Sequence, residues 1–287
     1  MCAVSEVELD WDSAQFGFQP VRRLWFDATE DTITALPFCG GELCSYCNRA
    51  PHKTTANEDA AGVFEVGPEQ GVMLVADGVG GANCGDRAAQ LLVESVAAHL
   101  DDVPKGKSLR SAILDGIESA NREIQNLKLG AAATLAAVEF DAGQIRTYHI
   151  GDCQVLLSTN RGRIKHSTIS HSLTALAIES GYLDEADALA HDERNVITNC
   201  VGSSEMRIEI GPQVTMGLRD TLLVASDGLF DNLLNEAIVE VIRKGRLLPQ
   251  TETLVALTSR TMLRTSNDSP AAPPGKPDDL TILTFRR

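Results

Sequence analysis

The sequence predicts an α+β fold, or a layered α/β/β/α arrangement, over residues 51–287, with an N-terminal extension over residues 1–50 that packs on this domain or leads into it. Strand-like segments come in runs, and two long amphipathic helices stand together between two such runs. The regular strand–helix alternation of a parallel sheet is missing.

The elements follow in order. Residues 1–50 hold both tryptophans, Trp11 and Trp25, and three close cysteines, Cys39, Cys44 and Cys47. Residues 63–66 and 72–76 predict two strands joined by the GPEQG turn at 67–71. Residues 85–100 predict a helix, because Ala88, Leu92, Val96 and Leu100 recur every four residues on one face. A second helix is expected over 108–127, with Ser108 as N-cap and Ile113, Ile117 and Ile124 on one side. Three strands follow at 134–140, 144–150 and 154–158, the first two joined by a hairpin turn at Asp141-Ala142-Gly143. A helix at 173–181 precedes a polar insertion at 184–194. A buried strand at 221–225, helices at 235–243 and 251–264, and a closing strand at 280–285 complete the chain. Residues 266–277 contain four prolines and predict a loop. No internal repeat appears beyond the strand-end pattern described below.

Hydrophobic residues make up 43% and charged residues 23%, an ordinary globular composition. A net charge of −15 without a basic tract argues against a nucleic-acid groove, which needs clustered Lys and Arg. The N-terminal residues MCAVSEVELDWD are acidic rather than signal-like, and no apolar run approaches the length of a membrane span. The expectation is a cytoplasmic protein with no membrane partner, its seven cysteines reduced. Cys84, Cys153 and Cys200 are expected to serve in packing.

Chemistry concentrates where strands end. Residues 72–78 read VMLVADG and residues 222–228 read LLVASDG: an apolar strand, then Asp, then Gly. The buried run delivers the Asp to the sheet edge, and the Gly lets the backbone turn and approach a ligand. YHIGD at 148–152 is a third strand ending in Asp. Asn57-Glu58-Asp59 and Pro277-Asp278-Asp279 place carboxylate pairs just before strands. Any one such segment is often a simple turn. Converging carboxylates, however, repel unless a cation joins them. Hard divalent ions prefer such oxygen ligands and turn bound water into a nucleophile.

Taken in order, Asn57-Glu58-Asp59, Asp77-Gly78-Val79-Gly80-Gly81, Gly151-Asp152, Asp227-Gly228-Leu229-Phe230-Asp231 and GKPDDLT at 275–281 resemble the motif series of PP2C-type (PPM) metal-dependent protein serine/threonine phosphatases. One such motif is weak; five in sequence over residues 52–287 are specific. The pattern is similar to the branch with a Gly-Glu-Asp-Ala style first motif, where Pro51-His52-Lys53 also fits. The resemblance implies two antiparallel sheets flanked by helices, with two Mn²⁺ or Mg²⁺ ions at one end of the sandwich. It implies that Asp77 bridges both metals, that the Gly78 carbonyl is a ligand, and that Asp227 and Asp278 complete the second site. Glu58 would act through metal-bound waters with Asp59 nearby. Asp152 and Asp231 match positions that hold a third, weaker metal in some relatives, and Asp279 stands where Asn is usual. The implied reaction is direct attack of metal-bridging water on the phosphorus of phosphoserine or phosphothreonine, without a covalent enzyme intermediate. The implied partner is a phosphoprotein, with the enzyme opposing a Ser/Thr kinase.

Two positions depart from that pattern. Many relatives carry a phosphate-gripping Arg where this chain has Thr54; Lys53 is the candidate substitute, as a point charge rather than a planar fork. Some relatives carry a general-acid His where this chain has Val79, which makes His52 a candidate at the substrate phosphate. His149 and His171 read as structural or exposed. Cys39, Cys44 and Cys47, with His52, form a candidate zinc set, against free thiols as the alternative. Two other functions share the motifs: a catalytically weak regulatory or phosphoprotein-binding module, and a small-molecule phosphate-ester hydrolase.

Overall fold

Long apolar runs interrupted by tight turns fold this chain into sheets whose central strands are buried on both faces. A computed structural model describes residues 20–29, 31–79, 84–104, 108–265 and 273–287. The expectations for Trp11, for Gly80 and Gly81, and for residues 266–272 of the proline-rich loop fall outside these residues. In chain order come β1 (Arg22–Phe26), β2 (Thr34–Phe38), β3 (Gly41–Asn48), β4 (Asp59–Gly67) and β5 (Gln70–Gly78), then α1 (Gly85–Asp101) and α2 (Arg110–Leu127). Next are β6 (Ala133–Asp141), β7 (Gln144–Ile150), β8 (Gln154–Ser158), β9 (Ile164–Ser167), α3 (Leu173–Glu179) and α4 (Glu185–Ala188). The chain finishes with β10 (Glu209–Ile210), β11 (Val214–Thr215), β12 (Thr221–Ala225), α5 (Asp227–Phe230), α6 (Asn235–Ile242), α7 (Leu247–Met262) and β13 (Leu280–Arg286).

Two antiparallel sheets result. One runs β1-β4-β5-β6-β7-β10, with β11 also on β7; the other runs β2-β3-β13-β12-β8-β9. Period-two alternation splits each strand between two cores. Val63, Met73, Val75, Ala136 and Val138 of the first sheet meet Leu43, Val155, Leu157, Val224 and Leu283 of the second. Phe140 and Phe285 meet edge to face at 4.9 Å, with Phe38 against both. On the first sheet's outer face, Phe64, Leu74, Leu135 and Tyr148 are covered by Leu92 and Val96 of α1 and Ile113 and Ile117 of α2. On the second sheet's outer face, Leu156, Leu223 and Ile282 are covered by Ile238 and Ile242 of α6 and Leu254 of α7. The result is the four-layer α/β/β/α sandwich, an α+β fold.

For the described residues 20–29 and 31–50, the expected separate extension needs correction. β1 pairs with β4 in the first sheet, while β3 pairs with β13 along its whole length in the second, so no domain boundary lies at residue 50. Backbone pairing decides this, and the side chains do not advertise it. Helix α7 begins at Leu247, four residues before the expected start, because Pro249 is tolerated in a first turn whose N–H groups need no partner. The N-cap of α2 is Leu109, without a side-chain cap, rather than the expected Ser108, whose Oγ one residue earlier accepts from Arg110 N at 3.3 Å. Among the described residues, no helix is long and apolar enough to cross a membrane.

Candidate metal centre

Register brings the carboxylates together. Asp59 opens β4 directly opposite Asp77 on β5, and Asp77 lies opposite Thr134 on β6. Gly151-Asp152 is the connection from β7 in the first sheet to β8 in the second. Asp227 follows β12, and Asp278 and Asp279 precede β13, at the same end of the second sheet. Ser226 ties the two sheets: its Oγ donates to Asp59 Oδ2 at 2.7 Å and accepts from Thr281 N at 3.0 Å.

The electrostatics record this convergence. Burial first, then Asp227, Asp59, Asp152 and Asp278, push the Asp77 carboxyl well above the usual range. Burial and Asp279 push Asp59 up to about 8, against the Ser226 hydrogen bond. Asp278 rises to about 7 and Asp231 to about 6, each through burial and then Asp227, with Lys276 opposing. Asp152 also rises well above the usual range, through burial, Asp227 and Asp231. Asp59 Oδ1 and Asp152 Oδ1 are buried with no hydrogen-bond donor. Such a set of anionic oxygens, short of donors and mutually repelling, fits hard divalent cations.

Backbone detail completes the arrangement. A Cβ on Gly78 would run into the Gly85 carbonyl, so only glycine lets β5 pass the start of α1. A Cβ on Gly85 would stand 2.9 Å from Glu58 Oε1 and 3.1 Å from the Gly78 oxygen. Glu58 and the Gly78 carbonyl therefore flank one point, beside Asp77. Gly151 sits at φ 91 against Thr134, a conformation that sets the direction in which Asp152 leaves β7.

Two lysines meet the carboxylates. Lys53 Nζ donates to Glu58 Oε2 at 2.7 Å and Asp279 Oδ2 at 2.6 Å. Asp279 also accepts from Ala50 N and Glu58 N, both at 2.7 Å, so it fastens the first motif to β13. Lys276 Nζ lies 2.6 Å from Asp227 Oδ2, 2.6 Å from Asp231 Oδ2 and 3.1 Å from Asp278 Oδ2. Sequence reasoning missed Lys276, Ser226 and Asn232. The signal for Lys276 was a lone Lys two residues before Asp278 in an otherwise acidic motif. His52 is exposed, on a turn at φ 68.

The zinc reading of Cys39, Cys44 and Cys47 does not survive the fold. Cys44 and Cys47 lie three apart on β3 and so face opposite sides of the sheet. Cys47 Sγ accepts from Thr281 Oγ1 and Asn57 Nδ2 near the acidic centre. Cys44 is near Thr251 and Thr284, while Cys39 packs in the inter-sheet core. Burial pushes the Cys44 thiol up to about 11 and the Cys47 thiol up to about 12, the reverse of reactive or metal-ready thiols. Cys153 is buried as expected, whereas Cys84 is exposed at the start of α1 rather than packed.

His149, His171 and Glu209 also cluster. There His171 Nδ1 accepts from Gly151 N at 3.1 Å and from Asn199 Nδ2 at 2.9 Å, which puts the ring proton on Nε2 toward Glu209. His149 Nε2 donates to Gly151 O at 2.9 Å. Hydrogen bonds from both histidines brace the Gly151-Asp152 turn, while His149 Nδ1 stays buried without a partner.

Comparison with known proteins points the same way. The family model for protein phosphatase 2C matches residues 49–263. The serine/threonine phosphatase stp of Listeria innocua is 30% identical over 200 residues, covering 66% of this chain and 78% of that protein. A solved Streptococcus agalactiae serine/threonine phosphatase superposes with a TM-score of 0.72 at 24% identity, covering 86% of this chain and 99% of that one. The catalytic domain of the phosphatase PstP, solved in complex with two manganese ions, superposes with a TM-score of 0.66 at 22% identity, over 85% of this chain and 96% of that one. With the family model running from before the first acidic motif through α7, the chain belongs to the protein phosphatase 2C family.

Proposed function

We propose that the chain is a metal-dependent protein serine/threonine phosphatase that uses Mn²⁺ or Mg²⁺ to hydrolyse phosphoserine and phosphothreonine. The observation that carries this reading is Asp77, whose carboxyl is raised by Asp227, Asp59, Asp152 and Asp278 together once burial is counted. Asp77 would face both ions, with the Gly78 carbonyl and Glu58 on one side and Asp227 and Asp278 on the other. Asp152 and Asp231 would serve a third ion, and Asp59 orients the set through Ser226. When bound, the ions supply charge neutralisation and a water acidic enough to attack at neutral pH.

The chain's own groups do the positioning. Lys53 spends two of its ammonium hydrogens on Glu58 and Asp279, which aims the third at incoming phosphate. His52, exposed and next to Lys53 in sequence, would serve at the leaving group. A cleft of about 290 Å³ lined by Asp231, Ser172, Arg194 and Phe230 would take part of a peptide substrate. The opposing enzyme would be a Ser/Thr kinase, in the cytoplasm.

The test is p-nitrophenyl phosphate and phosphothreonine-peptide hydrolysis with Mn²⁺, Mg²⁺ or EDTA, in wild type and Asp227→Asn. Manganese-dependent turnover of the peptide, lost in EDTA and reduced roughly a hundredfold or more in the variant, is expected. Turnover of the small ester alone would favour a small-molecule hydrolase. No turnover in folded wild type would leave a binding module.

A further inference from the structure

The metal-ligand carboxylates already hold a cation of the chain's own. Lys276 places its ammonium within 2.6–3.1 Å of Asp227, Asp231 and Asp278. Its position is built rather than incidental. Buried Asn232 clamps the Lys276 backbone with a reciprocal pair of hydrogen bonds, Nδ2 to Lys276 O at 2.9 Å and Lys276 N to Oδ1 at 2.9 Å. A third bond, Asn232 Nδ2 to Gly228 O at 2.9 Å, ties the clamp to the same turn that carries Asp227. The lysine side chain is only 17% exposed, so its charge is committed to these three carboxylates and not to solvent.

An ammonium at hydrogen-bond distance from Oδ2 of both Asp227 and Asp278 competes for those oxygens with any ion the two residues would bind. A divalent ion drawn to the same oxygens meets the repulsion of the ammonium in a partly desolvated site. We propose that Lys276 is the resident counter-ion of this half of the centre. A divalent ion enters the Asp227–Asp278 half only by displacing the ammonium from these oxygens. In the other half Lys53 holds Glu58 alone among the ligands, at 2.7 Å, and leaves Asp77 and the Gly78 carbonyl uncontested, whereas Lys276 holds both Asp227 and Asp278. The half at Asp77, Gly78 and Glu58 therefore fills first, and the Lys276 half fills at higher metal concentration. Lys276 acts on the metal through exchange, and it is a positioning residue rather than a catalytic one. This inference rests on the metal-centre reading above.

Two measurements test it. Titration calorimetry with MnCl₂ on the metal-free wild type and on Lys276→Met reads the exchange directly. Removing the ammonium is expected to tighten the weaker manganese site about tenfold or more, while metal-free Lys276→Met melts at a lower temperature than wild type. Unchanged or weaker manganese binding in Lys276→Met would overturn the proposal. Binding in the variant where wild type binds only one ion would support it in its strongest form. Manganese bound by neither protein would overturn the exchange together with the metal centre, whereas normal two-site binding in both would sink the exchange alone. Should Lys276→Met not fold, acetylation of wild type by acetic anhydride, read by peptide mass spectrometry, keeps the question open to refutation. Saturating Mn²⁺ is expected to raise the labelling rate of Lys276 several-fold, as the amine leaves its carboxylates. A rate that stays level or falls would contradict displacement.

Discussion

His149 shows how one residue ties the site to pH. Its ring is buried, with Nδ1 unpartnered, and burial followed by the neighbouring His171 lowers its pKa from 6.5 to about 4, with Glu209 and the Gly151 carbonyl opposing. A depressed histidine means that the unfolded chain binds the proton first. The stability that neutral His149 protects is fully present above pH 6.5 and is lost as pH falls from there toward 4. The loss is on the order of 3 kcal/mol across that window. His149→Gln keeps a donor for the Gly151 carbonyl and removes the titration. Its chemical-denaturation stability should be flatter than that of wild type between those pH values, and an identical slope would show that other groups govern the acid limb. Lys53 offers a second residue-scale test. If Lys53 grips the substrate phosphate as proposed, Lys53→Met should raise KM for a phosphopeptide by about tenfold, with a smaller effect on kcat, because the ammonium is lost while the carboxylates remain.

Among the elements, the decisive feature is how β4, β5, β12 and β13 end together. Ser226 links three of them: it donates to Asp59 at the head of β4, follows β12, and accepts from Thr281 on β13. Ser226→Ala leaves the Thr281 N–H and an Asp59 oxygen short of a partner inside the protein. A stability loss of about 1–3 kcal/mol is expected in urea unfolding, along with weaker manganese affinity. Little change in either would mean that Asp59 is held by something else. The same elements explain what was legible beforehand. Strands at 154–158 and 221–225 stand in the fold as expected, because continuous apolar runs bounded by Asp and Gly have few other solutions. β2 was not legible, since Pro37 interrupts its pattern and it is an edge strand where a missing N–H is tolerated. β10 and β11 are two residues each, too short to carry a period. Asp77, Asp227 and Asp278 could be read as a site from their motifs. Lys276 stood out only as a lone Lys in an acidic motif, because its role depends on Asn232 holding a loop 44 residues away in sequence.

For the whole molecule, the sandwich works as a frame that forces like charges together. The first sheet contributes Asp59 and Asp77 and the second Asp227 and Asp278, while α1 and the Gly78 turn fix the spacing between Glu58 and the backbone. The net charge of −15 adds to the same strain. Cations that bind only the folded state should then stabilise the entire fold, by about 2.7 kcal/mol at a hundredfold excess over Kd. Adding Mn²⁺ should raise Tm of wild type by several degrees and that of Asp77→Asn by much less. Equal shifts in both would show that manganese binds elsewhere.

The most direct test is a crystal of the wild-type protein grown with MnCl₂ and measured at the manganese absorption edge. Two anomalous peaks are predicted, with Asp77 between them, one beside the Gly78 carbonyl and Glu58 and the other beside Asp227 and Asp278, with the Lys276 amine moved out. Peaks away from Asp77, or none at saturating manganese, would contradict the assignment of this acidic cluster as the metal centre of a phosphatase.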